Sequence, residues 1–197
     1  MYTVIGTIRS RTVRVFWMLE ELGQPYDRIA AGPRAPEVLA HNPSGKVPVL
    51  LCEGNALTDS VAILQFLADR HGALTFPAGS LDRARQDGLT QFICDEMDAL
   101  LWMAGRHSFV LPEEHRLPAI KDSLRWEFGR SLDRLAAHLG DGPFLMGDTM
   151  TVPDILAVHC LGWAVNAKFP PPQGALDDYM RRLRARPAYA RATADPA

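Results

Sequence analysis

Residues 42–64 read NPSGKVPVLLCEGNALTDSVAIL, and this stretch decides the fold. The apolar runs on either side of Glu53–Gly54 predict a β-hairpin. Thr58 or Asp59 then provides the N-cap of a helix over Ser60–His71. The predicted strands of the hairpin are Val47–Leu51 and Asn55–Leu57.

Upstream of this stretch, short strands again alternate with helical segments. Residues 12–22 place apolar side chains at the i, i+3, i+4, i+7 spacing of an amphipathic helix. Flanking strands at Thr3–Ile5 and Tyr26–Ile29 make a βαβ unit with parallel pairing, and residues 36–41 add one helical turn. The order β-α-β-(α)-β-β-α predicts a thioredoxin-like α/β domain over residues 1–75.

The second half of the chain loses the β signal. Residues 76–81 contain Pro, Gly and Ser and are predicted to form a linker. Residues 82–197 are predicted to form an all-helical domain, because helical periodicity recurs there between Pro- and Gly-rich breakers. The predicted helices are Leu81–His107, Pro118–Leu139, Val152–Ala167 and Leu176–Arg186.

Composition excludes several classes of protein. The 197 residues are 47% hydrophobic and 22% charged, which favours a globular fold over a disordered chain. The net charge of -2 lacks the basic excess of nucleic-acid-binding proteins. No signal peptide and no apolar run of membrane-spanning length is present, so a cytoplasmic protein outside the membrane is expected.

The cysteines and histidines show no metal or redox pattern. Cys52, Cys94 and Cys160 lie far apart without a CxxC pair, and the six histidines form no HExxH motif. We therefore predict reduced thiols and no metal site.

Pro48 is the most informative single residue, because proline has no N–H for a sheet and is unexpected between two strand-like stretches. A cis Val47–Pro48 bond would leave the backbone of Val47 free to pair with an extended peptide ligand. A trans Pro48 that opens a strand is the alternative, and spacing leaves both open.

Two helix starts carry further candidate residues. At Asp59–Ser60, free N–H groups and the Ser60 hydroxyl suit a carboxylate, while the Asp59 carboxylate suits an ammonium group. The turn Thr7–Arg11 places hydroxyls and guanidinium groups where they could stabilise a thiolate. An ordinary N-cap and a solvated capping loop are the respective alternatives.

Several strings occur in a recognisable order. They are VRVFWMLEELGQPY at 13–26, NPSGKVPVL at 42–50, LTDSVAIL at 57–64, FLMGD at 144–148, TVPDIL at 151–156 and RPAY at 186–189. Together they resemble the cytosolic glutathione S-transferases of bacterial type. The resemblance covers essentially the whole chain and implies a thioredoxin-like domain followed by an all-α domain, glutathione as co-substrate, and a homodimer.

The resemblance also implies how glutathione is held. Val47, before a cis Pro48, would pair with the cysteinyl backbone. Asp59 and Ser60 would hold the γ-glutamyl end, and Lys46 would bind the glycyl carboxylate. Weaker candidates for that carboxylate are His41 and Asn42.

The thiolate would be stabilised in the first turn, where many relatives have Ser or Cys followed by Pro. This chain has Thr7–Ile8 there, with Ser10 three residues later. Ser10 and Thr7 are therefore both candidate catalytic residues, and we favour Ser10 because it lies nearer the helix N-terminus. Because the turn contains no cysteine, glutathione itself is the expected nucleophile and thiol oxidoreductase activity is disfavoured.

The resemblance places the electrophile site against the first long helix of the second half. The candidates there are Trp102, Met103, Arg106, His107 and Phe109. Two pairs of the candidates, Trp102/Arg106 and Met103/His107, have helical i, i+4 spacing, although side chains of the aromatic and Met types are often simply core. The polarity of Arg106 and His107 favours acceptance of a polar or anionic group.

The predicted function is a glutathione transferase of detoxification, which activates the glutathione thiol for attack on a small, largely apolar electrophile. One alternative is a binding or regulatory protein with the same fold and no turnover. Another is a glutathione-dependent isomerase, dehalogenase or peroxidase on the same scaffold.

Overall fold

The computed structural model describes residues 1–194. They form two compact units, one of residues 1–78 together with those from 183 onward, and one of residues 79–182. The domain limits predicted from the sequence, 1–75, 76–81 and 82–197, remain a prediction.

The first unit contains a four-stranded mixed sheet. Its strands are β1 (Tyr2–Ile5), β2 (Tyr26–Ile29), β3 (Val49–Cys52) and β4 (Asn55–Thr58). Their order is β2-β1-β3-β4, with β1 parallel to β2 and antiparallel to β3, and β3 antiparallel to β4. The predicted α/β thioredoxin-like fold class of this half is confirmed.

The α-helices follow the predicted pattern closely in the first half and less closely in the second. They are α1 (Thr12–Glu21), α2 (Pro36–Leu39), α3 (Ser60–His71), α4 (Leu81–Ile93), α5 (Ala99–Gly105), α6 (Ile120–Leu139), α7 (Val152–Asn166), α8 (Ala175–Arg184) and α9 (Pro187–Thr193). Gly72 ends α3 in the left-handed conformation, at φ 60°. Helix α9 was not predicted.

The two central strands of the sheet, β1 and β3, are buried on both faces, since their consecutive residues are almost all buried. Ile5 and Val49 pack with Ala31 and Val38 in one apolar cluster. Helices α1 and α3 pack against each other.

Helix α9 packs on α1 within the first unit. The ring of Tyr189 meets the ring of Trp17 edge to face, with centroids 4.9 Å apart. Arg186 donates two hydrogen bonds to the Glu21 carboxylate, at 2.6 and 2.7 Å. Arg191 donates to Glu20 at 2.6 Å. The residues after 183 thus supply part of the packing of the first unit.

The second unit is helical, as predicted, but its first long helix is not uniformly α-helical. Two π-helical segments interrupt it, at Cys94–Asp98 and Arg106–Val110. The expectation of one α-helix over Leu81–His107 is therefore wrong in its periodicity. A π turn shifts every later side chain around the helix axis, so the assumed i, i+4 faces do not persist beyond each segment.

Helix α7 of the second unit is buried along most of its length. Thr151 and Asp154 form a capping box at its start. Asp154 also accepts hydrogen bonds from the Leu145 N–H at 3.0 Å and the Tyr179 hydroxyl at 2.7 Å. Within residues 1–194, no helix combines the length and apolarity that a membrane crossing requires.

Candidate functional site

The register of the sheet brings the three predicted parts of the site to the same end of the strands. Ile5, the last residue of β1, pairs with Val49, and Val49 pairs with Thr58, the last residue of β4. Three segments therefore lie next to the same end of these strands. They are the turn at Thr7–Arg11, the Val47–Pro48 dipeptide and the start of α3. Sequence analysis predicted each part separately, and the strand pairing supplies their proximity.

Val47 lies immediately before β3 and is partly exposed. The Val47–Pro48 peptide bond is cis. Within residues 1–194, the backbone N–H and C=O of Val47 form no hydrogen bond to another backbone group. Both groups are thus available to an extended ligand, as strand addition requires.

The loop before Val47 is braced from inside by Asn42. The Asn42 side-chain amide donates to the Lys46 carbonyl at 2.8 Å, and its oxygen accepts from the Ser44 N–H and hydroxyl at 3.2 and 2.9 Å. Asn42 is buried, whereas Lys46 and His41 are exposed. The geometry therefore gives Asn42 a structural task and leaves Lys46 and His41 accessible to a carboxylate.

Asp59 occupies the N-cap of α3 in an unusual backbone conformation, at φ 70° and ψ 123°. Its Oδ1 accepts hydrogen bonds from the N–H groups of Val61 and Ala62, at 2.8 and 3.3 Å. The side chain is exposed, so the second carboxylate oxygen can face a ligand while the first caps the helix. Positive φ at a residue other than glycine costs about 1–3 kcal/mol and is found preferentially at functional sites.

Ser60 is buried beside a charged residue that sequence analysis did not select. Arg14 of α1 is only 2% exposed, and its guanidinium donates to the Ser60 hydroxyl oxygen at 3.3 Å. Arg14 occupies one lone pair of that oxygen, which leaves the Ser60 O–H proton able to donate to an acceptor. A buried guanidinium also raises the local positive potential, which favours a carboxylate at the start of α3.

The turn between β1 and α1 uses the Ser10 hydroxyl internally. The Ser10 oxygen lies 2.8 Å from the Thr7 carbonyl and 2.8 Å from the Thr12 hydroxyl, and it accepts from the Thr12 N–H at 3.2 Å. One hydroxyl has one proton, so Ser10 can donate to a ligand sulfur only by giving up the bond that closes the turn. Thr7 is partly exposed, and its hydroxyl forms no hydrogen bond to the other described residues.

Gly6 fixes where this turn begins. A Cβ atom on Gly6 would lie 2.1 Å from the Thr12 hydroxyl oxygen, far inside van der Waals contact. The backbone of β1 thus passes directly over the buried Thr12 side chain, and the first turn of α1 is held against the end of the strand. The role of Gly6 was not predicted, although a glycine between a strand and a helix is a recognisable signal.

The predicted electrophile-site residues lie in the second unit. Trp102 and Met103 belong to α5, whereas Arg106 and His107 begin the second π segment, and all four are partly exposed. The Nδ1 atom of His107 accepts a hydrogen bond from the Leu117 N–H at 3.0 Å, so its proton resides on Nε2. The set remains a predicted site, with His107 offering one free donor.

Phe109 follows in the same π segment and is 70% exposed. Its ring folds back toward Gly105, where an added Cβ would lie 3.6 Å from the ring. An aromatic ring with this much exposure is surface rather than core, which removes the simplest alternative for this one candidate.

Family comparisons agree with this geometry. Residues 10–70 match the model of the glutathione S-transferase N-terminal domain, and residues 118–192 match the model of the C-terminal domain. The chain belongs to the glutathione S-transferase family. The predicted family and the predicted two-part fold class are therefore confirmed.

Individual relatives support the same conclusion. The chain is 31% identical to a maleylacetoacetate isomerase of Rhizobium meliloti, over 88% of the chain and 84% of the relative. It resembles a solved glutathione transferase from Methylococcus capsulatus, with a TM-score of 0.82, 26% identity and coverage of 98% and 97% of the two chains. It also resembles a theta class glutathione S-transferase from Xanthomonas axonopodis pv. citri solved with glutathione bound, with a TM-score of 0.80, 27% identity and coverage of 99% and 98%.

Proposed function

We propose that this chain is a glutathione transferase that activates the glutathione thiol for attack on a small, largely apolar electrophile. The observation that carries the proposal is the register of the sheet, which gathers a backbone edge, a helix start and a hydroxyl-containing turn at one end. These are the three elements that a γ-glutamyl-cysteinyl-glycine peptide needs, namely an extended partner, an amino-acid clamp and a thiol stabiliser.

In the proposed complex, the cysteinyl backbone pairs with Val47 as an added strand. The γ-glutamyl carboxylate accepts from the Ser60 hydroxyl and the N–H groups at the start of α3, while its ammonium group contacts the outer Asp59 oxygen. Lys46, with His41 nearby, faces the glycyl carboxylate. Pro48 is buried between these contacts and fixes the chain direction into β3.

The thiolate is held in this proposal by a hydroxyl of the turn, Thr7 or Ser10. A hydrogen bond to a charged acceptor stabilises it by about 1.5–3 kcal/mol, which corresponds to a thiol pKa lower by about one to two units. The thiolate fraction at neutral pH rises accordingly, and the anionic sulfur is the attacking species.

Calorimetric titration with glutathione, together with thermal unfolding in its presence, is the first test. Binding should raise the unfolding temperature, and the stabilisation should approach about 2.7 kcal/mol when the glutathione concentration is 100 times the dissociation constant. The dipeptide cysteinyl-glycine, which lacks the γ-glutamyl end, is the matched control ligand and should bind at least about tenfold more weakly. Equal affinity for both ligands would remove Asp59 and Ser60 from the proposed site.

Two substitutions separate the candidate thiolate donors. Thr7→Val removes a hydroxyl that forms no hydrogen bond to the other residues of 1–194, and Ser10→Ala removes one that closes the turn. Loss of the true donor should lower turnover by roughly ten- to a hundredfold at pH 7, raise the pKa of the bound thiol and leave glutathione affinity nearly unchanged. If thiolate absorbance persists in both variants, neither hydroxyl holds the sulfur.

A second candidate function is glutathione-dependent isomerisation, favoured by the similarity to the Rhizobium meliloti isomerase. Arg106 and His107 suit an anionic substrate such as maleylacetoacetate. A transferase consumes glutathione in proportion to product, whereas an isomerase returns it unchanged. Measuring free thiol during turnover of maleylacetoacetate and of a panel of neutral electrophiles therefore distinguishes the two functions.

We further propose a cytoplasmic homodimer that acts in detoxification, with glutathione and the electrophile as its small-molecule partners. The proposal is supported by the family and by the three cysteines, which form no disulfide among the described residues. Sedimentation equilibrium tests the oligomeric state directly.

A further inference from the structure

Three side chains of the second unit, none of them assigned to glutathione, bring different metal-ligand atoms together. A carboxylate oxygen of Asp98, a ring nitrogen of His159 and the Sγ of Cys160 all lie within 4.8 Å of one another. The Cys160 sulfur is 3.9 Å from the Asp98 Oδ2. Asp98 ends the first π segment, and the other two residues are consecutive in α7.

We propose that Asp98, His159 and Cys160 form a binding site for a divalent cation of the zinc class. The site has no signature in the sequence, because 60 or more residues separate Asp98 from His159 and Cys160. The proposal is independent of the proposed transferase function.

The donor set selects the class of cation. One thiol, one imidazole and one carboxylate are the three ligand types of protein zinc sites, whereas magnesium and calcium take oxygen ligands almost exclusively. A site with three protein ligands leaves a fourth position for water. The side chains thus offer a set that Zn²⁺ or Co²⁺ would occupy in preference to the hard cations.

The distances suit a site that closes on the ion. Ligand atoms that share a four-coordinate zinc at 2.0–2.3 Å lie about 3.3–3.8 Å apart. The sulfur–oxygen distance of 3.9 Å is already close to this range, and the remaining separations, at most 4.8 Å, require a contraction of about 1 Å. Small torsional adjustments of the Asp98 and His159 side chains, which are both partly exposed, would bring the ligand atoms to these distances.

Burial gives the site a direction of entry. Cys160 is fully buried, whereas Asp98 and His159 are partly exposed. The ring of His159 meets the ring of Trp163 edge to face, with centroids 6.0 Å apart, which limits its orientation. A cation would enter between Asp98 and His159, bind the sulfur at the floor of the site, and release the thiol proton to solvent.

The π segment accounts for the position of Asp98. It adds one residue to the turn between Cys94 and Asp98, and so rotates the following side chains relative to an α-helix. This segment packs against α7. A local distortion of the helix therefore accompanies the approach of the carboxylate to His159 and Cys160, and π segments of this kind occur frequently at functional sites.

Titration of the chelator-treated, untagged protein with Co²⁺ tests the proposal. Cobalt in a site with a thiolate ligand gives an intense sulfur-to-metal charge-transfer band, together with visible bands typical of four-coordinate geometry. We expect one equivalent of Co²⁺ to produce both and one equivalent of Zn²⁺ to abolish them. Absence of the charge-transfer band at stoichiometric cobalt would overturn the proposal.

Variants identify the ligands. Cys160→Ser should remove the charge-transfer band, and Asp98→Asn should weaken Co²⁺ binding by more than the roughly 10–100-fold that outer-sphere partners contribute. Cys94→Ser is the matched control and should keep the charge-transfer band and the Co²⁺ affinity. Cys160 lies in the core, so the Cys160→Ser variant can fail to fold. Asp98 is partly exposed, and Asp98→Asn then decides the result. An Asp98→Asn variant with unchanged cobalt affinity would contradict the site.

Discussion

Helices α3 and α7 each have an aspartate at their N-terminal cap that accepts backbone hydrogen bonds, Asp59 as the N-cap of α3 and Asp154 as the third residue of α7, yet the two caps are built in opposite ways. Asp59 of α3 is exposed, has a positive φ and gives one oxygen to two N–H groups. Asp154 of α7 is fully buried and accepts from the Thr151 N–H at 2.8 Å and its hydroxyl at 3.2 Å, as well as from Leu145 and Tyr179.

The difference teaches how to distinguish a structural cap from a binding one. Burial raises the pKa of Asp154, and the hydrogen bonds from its neighbours only partly offset that effect. Every acceptor position of Asp154 is used inside the protein, so its task is stability. Asp59 combines an unfavourable backbone conformation with a second oxygen that accepts no hydrogen bond from the other described residues, which favours a task in ligand binding.

Asp154→Ala is expected to cause the largest loss of stability. It removes the acceptor of four hydrogen bonds and leaves buried donors on Leu145 and Tyr179 without a partner. Because each unsatisfied buried donor costs about 1–3 kcal/mol, the free energy of unfolding should fall by at least about 3 kcal/mol. Urea unfolding measures the change.

Tyr179→Phe is its matched control, because it removes one donor and leaves the Asp154 cap in place. Its loss should be about 1 kcal/mol. If both variants lose equal stability, the Asp154 cap contributes nothing beyond the bond to Tyr179, and the contrast with Asp59 fails.

Asp59→Asn should have the opposite profile. Asn caps helices as well as Asp and tolerates positive φ, so the free energy of unfolding should change by less than about 0.5 kcal/mol. The lost charge should weaken glutathione binding by roughly ten- to a hundredfold, measured by calorimetry. If the variant binds glutathione normally, Asp59 is a purely structural cap, as Asp154 is.

Arg14 and Ser60 test whether the start of α3 depends on support from α1. In a double-mutant cycle of Arg14→Met and Ser60→Ala, we expect a coupling energy of about 1 kcal/mol in the free energy of glutathione binding. Additive effects of the two substitutions would mean that the 3.3 Å contact does not act on the ligand.

Glu21 should produce the smallest effect, and one that depends on pH. Burial raises its pKa, but hydrogen bonds from Arg186 and Trp17 and the charge of Arg186 outweigh burial, so the net pKa is lowered. A lowered folded-state pKa stabilises the fold above the unfolded carboxyl value of about 4.3, and this contribution disappears as the pH falls through the folded-state value.

Glu21→Gln should therefore lose less than about 1 kcal/mol at pH 7, and progressively less as the pH falls below about 4. Urea unfolding at pH 7, 5 and 3.5 follows the change. A difference from the wild type that grows on acidification would show that Glu21 is protonated more readily in the fold than in the unfolded chain.

Sequence analysis succeeded where local signals and tertiary packing agree. Strand β2 and helix α3 have the predicted limits, because periodicity, the cap at Asp59 and the stop at Gly72 all indicate the same boundaries. The Val47–Pro48 dipeptide was singled out for a comparable reason, since a proline between strands has few structural explanations.

Prediction from the sequence failed where a contact links residues that are distant in the chain. Arg14 stands between two valines, and nothing nearby indicates that it is buried against Ser60, 46 residues later. The π segments have no compositional signature, because an i→i+5 turn depends on how the surrounding side chains pack. Helix α9 was detectable, since Pro187 has the position that proline prefers at a helix start.

The contact of α9 with α1 also determines when, during synthesis, the first unit can form all of its native contacts. The ribosome makes residues 187–193 only after the whole of residues 79–182. Trp17 and Glu21 can therefore form their contacts with Tyr189 and Arg186 only after the helical unit has been synthesised. The unit whose synthesis begins first is the last to acquire all of its native contacts, and a fragment that ends at residue 78 encodes an incomplete fold.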